Sequence, residues 1–545
     1  MANTAPRFLL STIVILLKSM KEKLQKEISA ILTELGVQNP KAVLDYPVHF
    51  EMGDLSTNVV MAYAKELKVK PLDLANKIVT HLEVELPSGV KAEVAPPGFI
   101  NFFFSPEYFV PKTFEKLGTF KGQKTIIEYT DPNPFKEFHI GHLMPNVIGE
   151  SLSRIIEANG AEVKRANYQG DVGLHVAKAV WAMKKGTELL KAYAEGHKAY
   201  EEDESAKKEI IEINKKIYDR SDAEIVDIYE DGRKKSLLYF EIIYQILGTK
   251  FDYYFFESEV SSLGKDLVEK NIGKVFEKSD GAIVFKVDEH DKKLHTRVFI
   301  NSEGLPTYEA KELALSKYKY DEYPYDLSIV VTGNEINEYF KVLLKAMSFV
   351  FPDLAQKTKH ISHGMMRLPT GKMSSRTGDI ISAESLIQQV REKIISSHET
   401  EPDIAQIIAL GAIKYTILRQ AIGGDIIFDF DKSISFEGDS GPYLQYSAVR
   451  AQSVLQKAKK VPLGDTSGNL EVELPSGWVT TNLERLLERF SSVVEKAGKE
   501  YAPHHIATYL IELAGEFNSF YASHKIIDEG DKTSPYRLAL TEAFL

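Results

Sequence analysis

Cysteine is absent from this chain of 545 residues. Disulfides and thiolate zinc sites are thereby excluded, and the composition fits a reducing compartment, the cytoplasm. Long hydrophobic runs are scarce as well. The nearest approach, Phe8 to Leu17, follows Arg7 and ends at Lys18; it is too short to span a bilayer, and no small-residue cleavage site follows it. Residues 1–19 therefore read as an extension, with the fold beginning near Met20. A strong positive balance is the third absence. Lys and Arg number 67 against 78 Asp and Glu, a net charge of -11, so a generally basic nucleic-acid coat is excluded and any RNA contact must come from a local patch or from shape. The length exceeds one ordinary core, and about three or four domains are expected.

What is present is concentrated in two stretches. Thr125 to Tyr129 is a β-rich run broken by Pro132 and Pro134, and an apolar helical stripe follows at Leu143, Val147, Ile148, Leu152, Ile155 and Ile156. The pattern predicts strand, loop, helix. Pro145 lacks an N–H and suits a first helical turn, which sets the helix start near Gly141 or His142. Free amides at a helix N-terminus suit the phosphates of a nucleotide. Gly141 would let adenine approach the backbone, while His139 and His142, neutral or charged, can donate to a phosphate. Far downstream, Gly371 to Arg376 reads Gly-Lys-Met-Ser-Ser-Arg: a mobile loop whose Lys372 and Arg376 bring cations over a triphosphate, with Met373, Ser374 and Ser375 between them. The His-x-x-His spacing also admits a metal pair, but no third ligand lies near it. An ATP site is the better reading.

Around these motifs the chain reads as multidomain α/β. Residues 20–120 form an α+β module, with a strand at Phe99 to Phe104. Residues 121–384 form a doubly wound, Rossmann-like parallel sheet domain, interrupted near 184–250 by a charged helical insertion of mostly solvated helices. In its second half, Arg297 to Asn301 and Leu327 to Thr332 read as strands and Tyr308 to Ser316 as a helix. Gly333 and Glu335 follow at a strand's carboxyl end, where Glu335 either holds a ribose hydroxyl or caps a helix. Residues 385–545 read as a helical bundle. The chain stops inside an apolar helix, so a truncated C-terminus is an open expectation.

His139-Ile140-Gly141-His142 and Lys372-Met373-Ser374-Ser375-Arg376 match the two class I signatures. Gly53-Asp54 with Ser56-Thr57-Asn58, Pro97 to Asn101, Asn167 to Gly173, Gly441 to Tyr446 and Phe517 to Tyr521 extend the match. On these the chain resembles the class I aminoacyl-tRNA synthetases, and specifically the arginyl-tRNA synthetases. The resemblance implies L-arginine, ATP with Mg2+ and tRNA(Arg) as substrates and partner, no zinc and no membrane, and a cytoplasmic monomer. It implies an N-terminal module against the tRNA elbow and an anticodon-holding end domain, with Tyr443, Gln445, Tyr446 and Arg450 as the tRNA-contacting candidates. Asn133 and Asp131 would lie near the α-amino and carboxylate groups of arginine, and Glu128, Tyr308 and Glu312 near its guanidinium. Three positions depart from the family pattern. Asp131 replaces the commoner Ser, Glu312 replaces an Asp, with Glu309 as an alternative, and Ser375 stands where a Lys is usual. Lys136, three residues before His139, is the candidate to replace that lysine.

Overall fold

The computed structural model describes residues 16–110, 117–367, 381–459 and 473–545. Two compact units divide it: Met1–Leu117 with Leu444–Lys496 and Thr508–Leu545, and Gly118–Tyr443 with Ala497–Ala507.

In the first unit, β1 (Leu55–Thr57), β3 (Phe99–Phe104) and β2 (Val90–Ala95) form an antiparallel sheet in that order. Helices Leu16–Glu34 and Pro71–Leu82 cover it through the heptad-like stripe of Leu24, Ile28 and Leu32 and through Leu74, Ile78 and Leu82. The same unit holds the C-terminal helices, whose core includes Leu483, Leu486, Tyr509, Leu513 and Phe517. Module and helices are joined by Arg485, which donates to Asp54 at 2.7 Å.

The second unit is built on five parallel strands: β4 (Lys124–Glu128), β5 (Glu162–Gln169), β6 (Tyr253–Phe256), β10 (Leu327–Gly333) and β11 (Thr358–His363). Their order is β11-β10-β4-β5-β6. The chain winds one way from β4 and the other way from β10, so the switch point lies between the carboxyl ends of these two strands, where open α/β sheets bind ligands. Glu128 ends β4 and Gly333 ends β10. The doubly wound reading is therefore right in outline. Arg297–Ile300 departs from it: this strand, β9, joins β7 (Glu277–Ser279) and β8 (Ala282–Phe285) in a separate antiparallel sheet.

Helix Ile140–Ala158 follows β4, and its Pro145 lies in the second turn, not the first. The cost is small, since proline there forfeits only the bond to the Gly141 carbonyl. The insertion is helical as expected, in helices Leu189–Glu202, Glu204–Asp219 and Ala223–Leu247. It is less solvated than its charge implies, because Ile210, Ile213, Ile217 and Ile225 build a core with Val176, Val180 and Phe135. Helices Ala383–His398 and Pro402–Leu418 also belong to this unit, packing Leu386, Val390 and Ile413 into the core beside the sheet.

Candidate active site

The loop between β4 and its helix is strained. Thr130, Asp131 and Phe135 have φ of 84°, 45° and 69°, left-handed values that cost a side-chain-bearing residue about 1–3 kcal/mol each. Each is tied down. Asn146 Nδ2 donates to Thr130 Oγ1 at 3.0 Å, the Tyr168 N–H to Asp131 Oδ1 at 2.8 Å, and the Phe135 N–H to Ser236 Oγ at 2.9 Å. This fixes the direction in which Asn133, inside the strained stretch, and Lys136, just beyond it, project.

At the helix start, His139 Nδ1 accepts the Gly141 N–H at 3.0 Å and His142 Nδ1 accepts the His139 N–H at 3.2 Å. The His142 and Leu143 amides reach the His139 carbonyl, and the Ile140 amide reaches Ile381. The first-turn amides that the sequence reading offered to phosphates are thus already used. The imidazoles replace them. Since both Nδ1 atoms accept, each neutral ring carries its proton on Nε2, directed away from its own backbone. The rings stack with centroids 3.8 Å apart. A Cβ on Gly141 would lie 2.8 Å from the His139 ring, so this glycine makes room for that histidine. Burial and then Lys136 lower His139 to about 4; burial, then His139 and Lys136, hold His142 well below its usual value. Both are neutral donors at pH 7, not cations.

Lys136 lies at the same end. Its ammonium is lowered to about 8, first by burial and then by Lys178, against the opposing pull of Glu257. It is a partly buried lysine facing His139 and His142, not a solvated loop residue. Lys372, Met373, Ser374, Ser375 and Arg376 lie outside the described residues. The chain that follows them runs beside the first motif: His139 bridges Ser382, and the Ala383 N–H reaches the Phe138 carbonyl at 2.9 Å. At the end of β10, the Glu335 carboxylate folds over Gly333. It is exposed, lies within the turn Asn334–Ile336, and caps neither that turn nor helix Asn337–Val350.

The other half of the site is a pocket of carboxylates and tyrosines. Glu128 is fully buried and already held by Lys319, whose Nζ donates to it at 2.7 Å. It supports the pocket rather than offering a free carboxylate. Asp131 is committed to the Tyr168 amide, and burial followed by Glu128 raises its carboxyl well above the usual range. Glu312 differs from both. No hydrogen bond or ion pair among the described residues engages it, and its carboxyl is raised well above normal, first by burial and then by Glu128. Glu309 is turned away and pairs with Arg297 at 3.6 Å. Tyr168, Tyr308 and Tyr339 lie around Glu312 and Glu257. The hydroxyls of Tyr168 and Tyr339 and the Oε1 atom of Glu257 are buried with no hydrogen-bond partner among the described residues. Lys311 holds the other oxygen of Glu257 at 2.6 Å. A Cβ on Gly170 would collide with Asn133 Oδ1 and would sit 2.9 Å from Glu257 Oε1, so two acceptors converge on a position only glycine leaves open. Unpaired acceptors and hydroxyls around a carboxyl that no ion pair holds have the chemistry to meet a cation with several N–H donors.

A stacked pair of neutral histidines and an acid–tyrosine pocket thus lie around the carboxyl ends of the central strands. Comparison with known proteins identifies the family. Residues 110–430 match the family model described as tRNA synthetases class I (R), catalytic domain; residues 18–104 match the arginyl tRNA synthetase N terminal domain, and 444–545 the DALR anticodon binding domain. The chain belongs to the arginyl-tRNA synthetase family. An arginine–tRNA ligase of Borreliella burgdorferi is 30% identical over 94% of each chain, and one of Clostridium acetobutylicum is equally similar, again 30% identical over 94% of both. The arginyl-tRNA synthetase structures of Thermus thermophilus (TM-score 0.71, 23% identity, 96% of this chain and 97% of that one) and Plasmodium falciparum (TM-score 0.76, 19% identity, 96% of both) share the fold.

Within this family member the anticodon candidates share helix Gly441–Ala458. Arg450 lies over the rings of Tyr446 and Tyr521, 4.6 and 5.1 Å from their centroids, and both rings are substantially exposed. Tyr443 and Gln445 are partly buried. Tyr168, Glu257, Tyr339, Lys311 and Lys319 were not singled out from the sequence. For Tyr168 and Glu257 a signal existed, since both fall in stretches that carry the family match; for Tyr339 and the two lysines there was none.

Proposed function

We propose that the residues at the switch point divide one reaction between them. The chain is an ATP-dependent arginine–tRNA ligase. A carboxylate oxygen of arginine bonds to the α-phosphorus of ATP while the bond to the bridging oxygen breaks, and pyrophosphate leaves. The terminal 2′-hydroxyl of tRNA(Arg) then takes the arginyl group from the adenylate and releases AMP. No covalent enzyme intermediate is required, so the chain contributes positioning and stabilisation of phosphate charge. In this reading His139 and His142 donate from Nε2 to phosphate oxygens as their charge grows. Lys136 and Lys372 neutralise the departing pyrophosphate, Met373 to Arg376 close over the triphosphate, and Gly333 and Glu335 meet the ribose. Asn133 and Glu257 receive the α-ammonium. Glu312, with the hydroxyls of Tyr168, Tyr308 and Tyr339, receives the guanidinium. Glu128 and Asp131 keep that pocket in shape.

Mg2+ arrives with the triphosphate as part of the substrate. No group of three His, Asp or Glu is gathered among the described residues, so phosphate oxygens and water would be its ligands, as this ion prefers. Tyr446 and Arg450, with Tyr443 and Gln445, offer faces on which unstacked anticodon bases can rest. No helix among the described residues is long and apolar enough to cross a membrane, and we read the working form as a cytoplasmic monomer.

The observation that carries this reading is the pair of stacked, neutral histidines whose free N–H groups face the switch point. Losing one donor aimed at transition-state charge costs ~10²- to 10³-fold in turnover. His142→Ala should therefore depress ATP–pyrophosphate exchange, measured with arginine and tRNA(Arg), by about that factor, with a much smaller effect on the KM for ATP. Exchange within two-fold of the parent would remove the motif from the chemistry.

A further inference from the structure

Lys136 is largely buried beside a second cation. Lys178 faces it, and so do the neutral rings of His139, His142 and His175. Glu257 is the one carboxylate that acts on it. A different kind of support comes from the insertion. The ammonium lies over the face of Tyr193, 4.5 Å from the ring centroid, on helix Leu189–Glu202. An aromatic face attracts a cation at this distance, most strongly where water is excluded. The ring is itself fixed in place. It stacks on His197, interplanar angle 11°, and His197 Nδ1 is 2.9 Å from Lys178 Nζ. The helix is pressed so closely against its neighbour that a Cβ on Gly196 would collide with the Lys178 backbone. The Lys178 ammonium is occupied within the insertion, 4.0 Å from the Tyr200 ring centroid and 3.7 Å from Glu201.

We propose that Tyr193 is a positioning residue for adenylate formation, its ring holding the Lys136 ammonium charged and beside the first-motif histidines until pyrophosphate develops there. The inference rests on the role given to Lys136 above and adds to it a part for the insertion, which neither signature contains. Without the ring, Lys136 keeps the burial and the Lys178 repulsion and loses a contact that favours the charged form. Its proton is then lost at lower pH.

The test is the pH profile of ATP–pyrophosphate exchange with tRNA(Arg) present, for the parent, Tyr193→Leu, Tyr193→Phe, Lys178→Met and Lys136→Ala. Taken as kcat/KM for ATP, which reports the free enzyme, the basic limb of the parent should begin near 8, where Lys136 stands. Tyr193→Leu should move that limb down by roughly one unit, costing ~8-fold at pH 8.5 and ~2-fold at pH 7. Tyr193→Phe, which keeps the face, should restore the parent profile, and Lys178→Met should move the limb upward. If Tyr193→Leu is slower by the same factor at every pH, or superimposes on the parent, the positioning role is wrong while Lys136 keeps its place. If Lys136→Ala matches the parent, the assignment of Lys136 itself falls.

Discussion

The two ends of the site reach their charge states by opposite routes. At the phosphate end, burial and a neighbouring lysine strip protons from two histidines that the backbone has already fixed as acceptors at Nδ1, leaving neutral donors. At the guanidinium end, burial and neighbouring carboxylates raise the carboxyls of Glu312 and Asp131 well above the usual range. The histidine pair and Lys136 come from one contiguous stretch of chain. The pocket draws on β5, the helices beginning at Glu257, Tyr308 and Asn337, and the strained loop. The first is rigid by local capping, the second by buried pairs such as Lys319–Glu128 and Lys311–Glu257. What the difference teaches is that an anion site can be read from a motif, whereas a cation site is assembled from single residues that only the fold brings together.

The largest expected effect would break this comparison at the pocket. A site whose buried acceptors await several N–H donors leaves them unpaired when a smaller cation enters, so discrimination against lysine should reach about 10⁴-fold in kcat/KM. Glu312→Gln should lose most of that ratio through arginine, while Glu309→Gln, paired outside the pocket with Arg297, should leave it nearly intact. The reverse outcome would put the recognition carboxylate on the other face of that helix.

The sequence carried the sheet and its helices, and it marked the paired histidines, because each depends on near neighbours: alternation, helical stripes, and two histidines three residues apart. It misjudged Glu128, whose burial beside Lys319 cannot be seen from the residues around either. It also misjudged the first-turn amides, since nothing in a motif says that its histidines turn back to cap it. Glu309 and Glu312 were separable only by direction on the helix, which turns Glu309 to Arg297 and Glu312 toward Glu128 and Asp131. The second signature falls outside the described residues, and its assignment rests on resemblance alone.

A smaller effect sharpens the distinction between supporting and receiving carboxylates. Lys319→Met leaves Glu128 buried and uncompensated, which should cost about 3–5 kcal/mol of stability in chemical denaturation. Adding Glu128→Gln should return much of it. If Lys319→Met is as stable as the parent and instead weakens only arginine binding, Glu128 belongs with the receiving groups after all.

The most direct measurement is proton release on arginine binding. The Glu312 carboxyl is raised well above its usual range in the free pocket, and an entering guanidinium favours the ionised form. Binding must therefore expel a proton, and affinity must increase with pH until the free-pocket value is passed. Calorimetric titration of arginine across a pH series, in two buffers of different ionisation heat, should show proton release for the parent below the free-pocket value of Glu312. Glu312→Gln should show less release and weaker binding whose pH dependence is reduced. Equal proton release and equal affinity in the two proteins would contradict the account of the pocket.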